Sequence, residues 1–211
     1  MMVLAITTTG PKPAIAALRG SRLLAVWQGM FAQSALIDGL HEMLAEVGIT
    51  DDVLREEVLI VAVATGPGRY ARLRAGVAFA KGLAAGFGVE LVGVPSAEAV
   101  ASAATGHVGP VAITAGRGRF YLVDGPSAAA SRGAVGAAEL ACMLPPAARV
   151  ACDVDDRSFV ELEDQGIGLA RVKPVGVARA VGRLALERVS SKAKVDPVTT
   201  QPVYTEPRDH G

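Results

Sequence analysis

Short apolar runs separated by turn residues open the chain, and their pattern predicts a three-stranded meander. Each run is alternating or continuously apolar, which is typical of strands. Gly10-Pro11-Lys12-Pro13 and Arg19-Gly20-Ser21 separate the runs and favour tight turns. The predicted strands cover residues 3–8, 14–18 and 22–27.

Helical spacing then alternates with further apolar runs. Gly48 is expected to end the first helix, and Pro95 the last strand of this region. Ser96, directly after that proline, suits the N-cap of another helix. The predicted elements are a helix over 33–47, a strand over 58–65, a helix over 69–86 and a strand over 90–94.

The order β-β-β-α-β-α-β-α predicts an α/β fold in which helices cover a mixed sheet. It is the order expected of an actin-like, or ribonuclease-H-like, lobe. The pattern begins again after His107, so we expect a second lobe with a degenerate copy of the same topology. The predicted lobes are residues 1–104 and a smaller 106–175, with a helix at 177–189 that returns to the first. In the second lobe we predict strands over 111–114, 119–123 and 149–154, and a helix near 137–143.

A glycine turn connects the buried strand to the second helix and is the most informative local motif. Gly66-Pro67-Gly68 stops an apolar run and precedes a helix rich in small residues. A strand, glycine turn and helix in succession direct backbone N–H groups into a crevice, an arrangement that binds phosphate. Gly66, Gly68 and Arg74 are therefore candidates for a nucleotide- or phosphate-facing turn. The tripeptide is equally compatible with a purely structural tight turn.

Composition narrows the function classes. The 211 residues are 51% hydrophobic and 4% aromatic, so the core must consist of aliphatic and small side chains. A formal net charge of zero disfavours strong direct binding of tRNA or DNA. Cys142 and Cys152 lack metal-ligand spacing and are expected to be free thiols in a reducing compartment. Without a secretory signal or a membrane-spanning run, a cytoplasmic protein with no membrane contact is expected.

Groups for hydrolytic or metal chemistry are sparse at the predicted turns. The first turn reads Thr7-Thr8-Thr9-Gly10 and the corresponding one in the second half reads Thr114-Ala115-Gly116-Arg117, both without a carboxylate. An actin-like ATPase needs an acid at the first turn to hold Mg²⁺ and its waters. The 3 histidines, His41, His107 and His210, are not at metal-ligand spacing. We therefore predict no catalytic residue, no metal site and no cofactor of the chain's own.

The segment around the glycine turn resembles the bacterial family called TsaB or YeaZ. The family motif, usually Gly-Pro-Gly-Ser-Phe-Thr-Gly-Leu-Arg-x-Gly, stands here as Gly66-Pro67-Gly68-Arg69-Tyr70-Ala71-Arg72-Leu73-Arg74-Ala75-Gly76. Val94-Pro95-Ser96-Ala97-Glu98-Ala99 and Pro202-Val203-Tyr204 also fit the family. The resemblance covers most of the chain and is strong over about residues 58–101.

Several positions depart from the family pattern. Thr7 and Thr114 stand where the family has aspartates, and Gln33 stands where its first helix has a histidine. Arg69 and Arg72 replace a serine and a glycine of the central motif. The chain is therefore identified as a divergent member.

The resemblance implies a small, two-lobed, actin-like protein of the machinery that adds threonylcarbamoyl to the adenosine next to the tRNA anticodon. It implies a non-catalytic scaffold or activator, because in the family the transfer belongs to a larger paralogue, TsaD, with a His-rich metal site. The implied partners are a TsaD-like catalytic paralogue and a TsaE-like ATPase, with a homodimer when the chain is isolated. ATP or ADP is expected only at an interface of such a complex.

The helices at 33–47 and 69–86 offer a partner surface. The first has more apolar positions than one face needs. We expect Ile37 and Leu44 to face the sheet, while Leu36, Leu40 and Met43 face outward. The second has small residues that permit close helix approach. The candidate interface residues are Leu36, Leu40, Met43, Tyr70, Leu73, Val77 and Phe79. Alternatively, both helices simply cover the core.

Two other functions stay open. One is an enzyme, either an actin-like ATPase or sugar kinase, or the peptidase that proteins of this superfamily have been labelled; the missing acids and metal ligands count against it. The other is a self-associating structural protein. ATP turnover, casein digestion and co-purification with a catalytic paralogue would separate these functions from that of a docking subunit.

Overall fold

Two five-stranded mixed sheets organise the part of the chain that the computed structural model describes, namely residues 1–32, 34–105, 107, 109–125, 133–191 and 201. The first sheet contains β1 (Met2–Thr7), β2 (Ala14–Arg19), β3 (Arg22–Gln28), β4 (Val58–Ala64) and β5 (Glu90–Val94). The second contains β6 (Val111–Gly116), β7 (Arg119–Val123), β8 (Val135–Gly136), β9 (Arg149–Asp153) and β10 (Gly168–Arg171). The helices are α1 (Ala35–Glu46), α2 (Asp51–Glu57), α3 (Tyr70–Phe87), α4 (Ser96–Ala103), α5 (Ala137–Met143), α6 (Asp156–Asp164) and α7 (Pro174–Ser190).

The two sheets share one topology. The first has the order β3-β2-β1-β4-β5, and the second repeats it as β8-β7-β6-β9-β10. In both, the central strand pairs antiparallel with the strand that follows it and parallel with its other neighbour. The predicted two-lobed actin-like fold is confirmed, including the degenerate copy of the first lobe in the second half.

Five layers result from the alternation of side chains across the sheets. Helices α1, α2 and α3 cover the outer face of the first sheet, where apolar residues of β1 and β4 meet those of α1 and α3. Helices α4 and α7 lie between the sheets and share a single core with both. Helices α5 and α6 cover the outer face of the second sheet. The central helical layer therefore joins the lobes.

Helix α7 returns from the second lobe to pack on β1, β2 and α4. Gly182 permits this contact, since a Cβ at that position would lie 2.5 Å from Leu18 Cδ1 and 3.1 Å from Ala5 Cβ. Arg188, near the end of α7, donates to the carboxylate of Glu98 on α4 and to the Gly93 carbonyl. A glycine contact and a partly buried ion pair thus attach α7 to the first lobe.

Helix α1 is attached to the sheet through the Trp27 ring of β3. A Cβ at Gly39 of α1 would lie 2.3 Å from Trp27 Cε2, and a Cβ at Gly29 would lie 2.3 Å from Trp27 Cζ2. Trp27 Nε1 donates a hydrogen bond of 2.9 Å to Glu42, one turn along α1. The indole therefore sets both the distance and the rotation of α1 against the sheet.

Most predicted elements are present within a few residues of their expected ends. Local sequence was insufficient to predict the others that the structure contains. Helices α2 and α6 and strands β8 and β10 were not predicted. The expectation that Ser96 caps α4 is wrong, because the N-cap is Pro95 and the Ser96 hydroxyl accepts a hydrogen bond from the Gly66 amide instead. The lobe limits at 104, 106 and 175 stay a prediction.

Some expectations fall on residues outside those described. These are Gln33 at the predicted start of the first helix, Gly106 at the predicted lobe boundary, Pro202-Val203-Tyr204 and His210. Among the described helices, none combines the length and the apolar character needed to cross a membrane.

Replacing Gly182 by valine should weaken the attachment of α7. The added side chain would overlap Leu18 and Ala5, and such overpacking costs roughly 1–3 kcal/mol of unfolding free energy. Gly82→Ala is the control, because a Cβ there meets open space and should stabilise helix α3 by about 0.5–1 kcal/mol. Urea unfolding followed by circular dichroism measures both changes. Equal stability of Gly182→Val and the parent chain would contradict the packing described here.

Candidate functional site

The cleft between the lobes is where the two sheets bring their loops together, and the threonine turn (residues 7–10) forms one wall. Thr7, Thr8 and Thr9 are at most 1% exposed. The Thr7 and Thr9 hydroxyls share a hydrogen bond of 3.2 Å, and the Thr8 hydroxyl donates to the Arg72 carbonyl at 2.9 Å. These hydroxyls bond to one another and to the backbone, so they stabilise the turn itself.

The glycine turn (residues 66–68) packs directly behind the threonine turn. The Gly66 amide donates to Ser96 Oγ at 2.9 Å, and the Ser96 amide donates back to the Gly66 carbonyl at 2.8 Å. A Cβ at Gly68 would lie 2.9 Å from Thr9 Cβ, and one at Gly76 would lie 2.3 Å from Thr8 Oγ1. The glycines therefore permit close backbone approach, and the Gly66 amide is directed to α4. Phosphate binding by Gly66 and Gly68 stays a prediction.

Arg72 holds the threonine turn from the first turn of α3. Its Nη1 donates to the Gly10 carbonyl at 3.2 Å and to the Pro11 carbonyl at 2.8 Å. Its guanidinium carbon lies 5.0 Å from the centre of the Phe31 ring, within the range of a cation–π contact. Burial, and then the charge of Arg69, lower the pKa of Arg72, while Asp155 raises it. Arg72 thus places a cation against the threonine turn and bonds to the backbone there.

Arg69 crosses the cleft from the N-cap of α3 to the second lobe. Its Nη2 lies 3.7 Å from Asp155 Oδ2, and its Nε lies 3.3 Å from the position of a Cβ at Gly116. That Nε is buried and has no hydrogen-bond partner among the described residues. Gly116 has a φ of 93°, so the β6–β7 turn adopts a conformation that favours glycine where Arg69 passes. Arg69 therefore occupies the mouth of the cleft.

Asp153 forms the opposite wall at the end of β9. Side chains alternate along this strand, so Ala151 and Asp153 face the first lobe while Val150 and Cys152 face α5 and α6. Asp153 is 1% exposed, and neither carboxyl oxygen has a hydrogen-bond partner among the described residues. A Cβ at Gly10 would lie 2.0 Å from Asp153 Oδ2. Burial raises the pKa of Asp153 to about 7, although the charge of Arg171 lowers it.

The N-terminus of α6 adds a charged recess beside Arg69. Asp155 is its N-cap and accepts from the Ser158 amide at 2.9 Å. Burial opposes ionisation of Asp155, but the bonds from Ser158 and the charges of Arg69 and Arg171 hold its pKa below the usual value. The recess has a volume of about 440 Å³ and is also lined by Arg117, Arg157 and Glu161. Three arginines and two acidic side chains line it, so the recess keeps an excess of positive charge.

Arg74 does not take part in the cleft contacts described above. It lies on the exposed face of α3, where Nη1 donates to the Tyr70 hydroxyl at 3.2 Å and the guanidinium lies 5.4 Å from the Tyr70 ring centre. The structure thus separates Arg74 from the glycine turn with which the sequence grouped it. A role for Arg74 in phosphate binding stays a prediction.

The predicted orientation of α1 is wrong. Leu36, Leu40 and Met43 were expected to face outward, but they are 9%, 5% and 0% exposed and belong to the core beneath the helix. Ile37, expected to face the sheet, is 50% exposed, while Leu44 does pack inward. The physical reason is the Trp27–Gly39 contact, which turns the stripe containing Leu36, Leu40 and Met43 towards the strands.

The predicted interface residues of α3 are also partly core residues and partly exposed. Leu73 and Val77 are 0% and 3% exposed, so they are core residues that no partner can contact in the folded chain. Phe79 is partly buried and packs against the same core as Val77. Tyr70 is 53% exposed, as an interface residue must be. Exposed small residues follow it along α3, namely Ala71, Ala78 and Gly82.

Asp153 and Asp155 are residues of the cleft that sequence reasoning missed. The sequence Asp153-Val154-Asp155-Asp156 spans the end of the strand predicted at 149–154, and acidic residues at a strand end could have marked them. No group of three or more His, Cys, Asp or Glu side chains suited to a metal ion occurs among the described residues. His107 instead lies in the connection between α4 and β6, with its Nε2 2.9 Å from the Pro110 carbonyl oxygen.

Comparison with known proteins links the chain to one tRNA-modifying family. The family model described as TsaD: tRNA N6-adenosine threonylcarbamoyltransferase matches residues 32–148, more than half of the chain. Two curated proteins with the name tRNA N6-adenosine threonylcarbamoyltransferase, from strains DP4 and Hildenborough of Nitratidesulfovibrio vulgaris, are each 38% identical over 108 residues. The match covers 44% of this chain and 30% of each relative, so the chain spans less than a third of their length.

Solved structures extend the likeness to nearly the whole chain. YeaZ from Pseudomonas aeruginosa is 18% identical with a TM-score of 0.66, and the match covers 96% of this chain and 99% of that one. A protein with similarity to peptidase YeaZ from the same species is 17% identical with a TM-score of 0.69, and the match covers 97% of this chain and 99% of that one. Component A of (R)-2-hydroxyglutaryl-CoA dehydratase from Acidaminococcus fermentans is 9% identical with a TM-score of 0.53, and the match covers 90% of this chain and 99% of that one. Identities this low show a common fold.

Replacing Asp153 by asparagine should stabilise the chain at alkaline pH. The folded pKa of about 7 lies above the ordinary aspartate value of about 3.9, so the folded state binds more protons between them. The unfolding free energy of the parent chain therefore falls as the pH rises from about 4 to about 7 and is then constant with respect to this group. The asparagine side chain cannot ionise, so the variant should gain on the order of a few kcal/mol at pH 8 and little at pH 4.

Urea unfolding at a series of pH values measures this difference. Asp156→Asn is the matched control, because that carboxylate is exposed and paired with Arg171. A constant difference between Asp153→Asn and the parent chain over the whole range would contradict a raised pKa of the buried carboxyl.

Proposed function

Given that this chain belongs to the TsaD family of tRNA N6-adenosine threonylcarbamoyltransferases, we propose that it serves that tRNA modification as a non-catalytic subunit. The observation that carries the proposal is that the polar groups of the cleft are bonded within the protein. Arg69 lies 3.7 Å from Asp155 across the cleft, Arg72 donates to the Pro11 carbonyl, and the hydroxyls of the threonine turn bond to one another and to the backbone. Groups engaged in this way suit a chain that supports a catalytic protein.

The arrangement of carboxylates favours a supporting role over hydrolysis. Metal-assisted phosphoryl transfer needs carboxylate oxygens that can reach Mg²⁺ and its waters. Asp153 is covered by Gly10, and Asp155 is engaged with the Ser158 amide and near Arg69. We therefore propose that the chain holds no nucleotide of its own, and that ATP or ADP binds only where it meets other components.

The proposed partner is a TsaD-like catalytic paralogue, with a TsaE-like ATPase as a further component in the cytoplasm. The proposed docking surface is the outer face of α1 and α3, here called the α1–α3 face and defined by Ile37, Tyr70, Ala78 and Gly82. Ile37 and Tyr70 are half-exposed large side chains, and the small residues let another helix approach closely. The other residues predicted for the interface are buried or partly buried and are not part of this face, namely Leu36, Leu40, Met43, Leu73, Val77 and Phe79.

A homodimer of the isolated chain is the second candidate, and the same observation favours it. Exposed apolar side chains on two helices that cover the same face of the sheet can pair with an identical face when the paralogue is absent. The two assemblies would then compete for one surface, so a dimer by itself does not test the proposal.

The double variant Ile37→Glu, Tyr70→Glu tests the α1–α3 face. Two charges placed in an apolar interface would remain unpaired, so co-purification with the TsaD-like protein of the same organism should fall at least about tenfold. Threonylcarbamoyl transfer to tRNA by the combined proteins should fall in parallel. Because both side chains are about half exposed, the melting temperature should stay close to that of the parent chain.

Val160→Glu is the matched control, since Val160 is 53% exposed on α6 of the other lobe. It should bind and support transfer like the parent chain. Met43→Glu should instead unfold the protein, because Met43 is fully buried. Normal binding by the Ile37→Glu, Tyr70→Glu variant would exclude the proposed surface, and ATP turnover by the chain alone would exclude a purely supporting role.

A further inference from the structure

The contact between Gly10 and Asp153 joins the lobes outside their shared apolar core. The lobes are already connected by the α4–α7 layer, whose apolar residues pack on both sheets. The threonine turn belongs to the first sheet and β9 to the second, so their contact closes the cleft next to that layer. The approach leaves no space for a side chain at position 10, where even a Cβ would lie 2.0 Å from the carboxyl of Asp153.

The surroundings of Asp153 suit a neutral carboxyl and penalise a carboxylate. The carboxyl receives no hydrogen bond from any described residue. An ionised carboxylate buried without donors is costly, because nothing replaces the water that it loses. The closed contact therefore depends on a proton held by Asp153.

The nearby charged groups are engaged elsewhere. Arg72, on α3, donates to the Gly10 and Pro11 carbonyls, and Arg69 lies near Asp155. Arg171, on β10, donates to Asp156 at 2.5 Å and stacks on the Phe159 ring. Its charge acts on Asp153 only from a distance. Cys152, the neighbour on β9, is itself held neutral, because burial and the charge of Asp153 raise its pKa to about 12.

We propose that the Asp153–Gly10 contact is a proton-dependent latch between the lobes. With Asp153 protonated, the threonine turn packs against the end of β9 and the cleft is closed. When the proton passes to solvent, the carboxylate draws water into the contact, and the threonine turn separates from β9. The α4–α7 layer keeps the lobes together in both states, so the change is confined to the cleft.

The geometry predicts which segments respond. Arg72 bonds to the turn carbonyls, and Gly76 packs against Thr8, so the threonine turn stays attached to the first lobe. The changing contact therefore lies between residues 7–11 and residues 152–155. The raised pKa of Asp153, about 7, places the change near neutral pH.

Hydrogen exchange followed by mass spectrometry on the full chain tests the latch. The parent chain and Asp153→Asn are compared at equal pH, so the pH dependence of the intrinsic chemistry cancels in the ratio of their rates. At pH 8.5, peptides from residues 7–11 and 152–155 should exchange at least about tenfold faster in the parent chain, because the ratio of carboxylate to carboxylic acid at Asp153 rises tenfold for each pH unit above the pKa. At pH 5.5 the ratio should be close to one.

Peptides from α5 and the interior of α3 serve as internal references, and Asp156→Asn is the matched variant. At labelling times too short for global unfolding, the reference peptides should stay protected in all three proteins at both pH values, and Asp156→Asn should match the parent chain. Exchange of the reference peptides of the parent chain on the same timescale as residues 7–11 at pH 8.5 would show that the whole chain unfolds, and it would overturn the latch. Equal exchange of residues 7–11 in both proteins at pH 8.5 would overturn it as well. The proposed docking role does not enter this test, because no partner is present.

Discussion

Helices and sheets pack closely in this protein because glycines lie at their contacts, and the rest of the structure depends on that close spacing. With 4% aromatic residues, the chain fills its interior by bringing helices close to sheets. Gly182 lets α7 reach β1 and β2, Gly39 lets α1 rest on Trp27, and Gly76 lets α3 reach Thr8. Because helix and strand backbones approach so closely, the loops at the strand ends also come into contact across the cleft. The threonine turn and Asp153 thus meet for the same reason that the core is dense.

The close contact of the lobes at the cleft gives charged residues there different surroundings from those of charged residues on the surface. Arg72 is held by two carbonyls of the threonine turn, whereas Arg74, two positions along, lies on the exposed face of α3 against Tyr70. Asp153 faces the opposite lobe without a donor among the described residues, whereas Asp156 is exposed and pairs with Arg171. Single positions therefore decide whether a charge stabilises the closed cleft or opposes it. Arg69 and Arg72 both contribute to this balance at the cleft.

Local periodicity was enough to predict most strands, the helices α1 and α3, and the two-lobed fold. It was not enough to orient α1, because spacing shows which residues share a face but not which face meets the sheet. The orientation comes from Gly39 and Trp27, which lie on different elements. Helix α6 escaped prediction because it is strongly charged, although Asp155 and Ser158 form a recognisable N-cap pair. The Asp153–Gly10 contact joins residues far apart in sequence and could be seen only once both sheets were in place.

The return of α7 to the first sheet has a consequence for synthesis on the ribosome. Strands β1 to β5 are complete at Val94, but the face that α7 covers stays partly open until residues 174–190 have emerged. At a synthesis rate of about 5–20 residues per second, that face stays uncovered for several seconds while the second lobe is being made. During this interval, the side chains on that face of β1 and β4 are available to chaperones or to other nascent chains; they are Val3, Ala5, Ile60, Ala62 and Ala64. The first lobe is therefore the first to be synthesised, but its packing is complete only after the second lobe has been made.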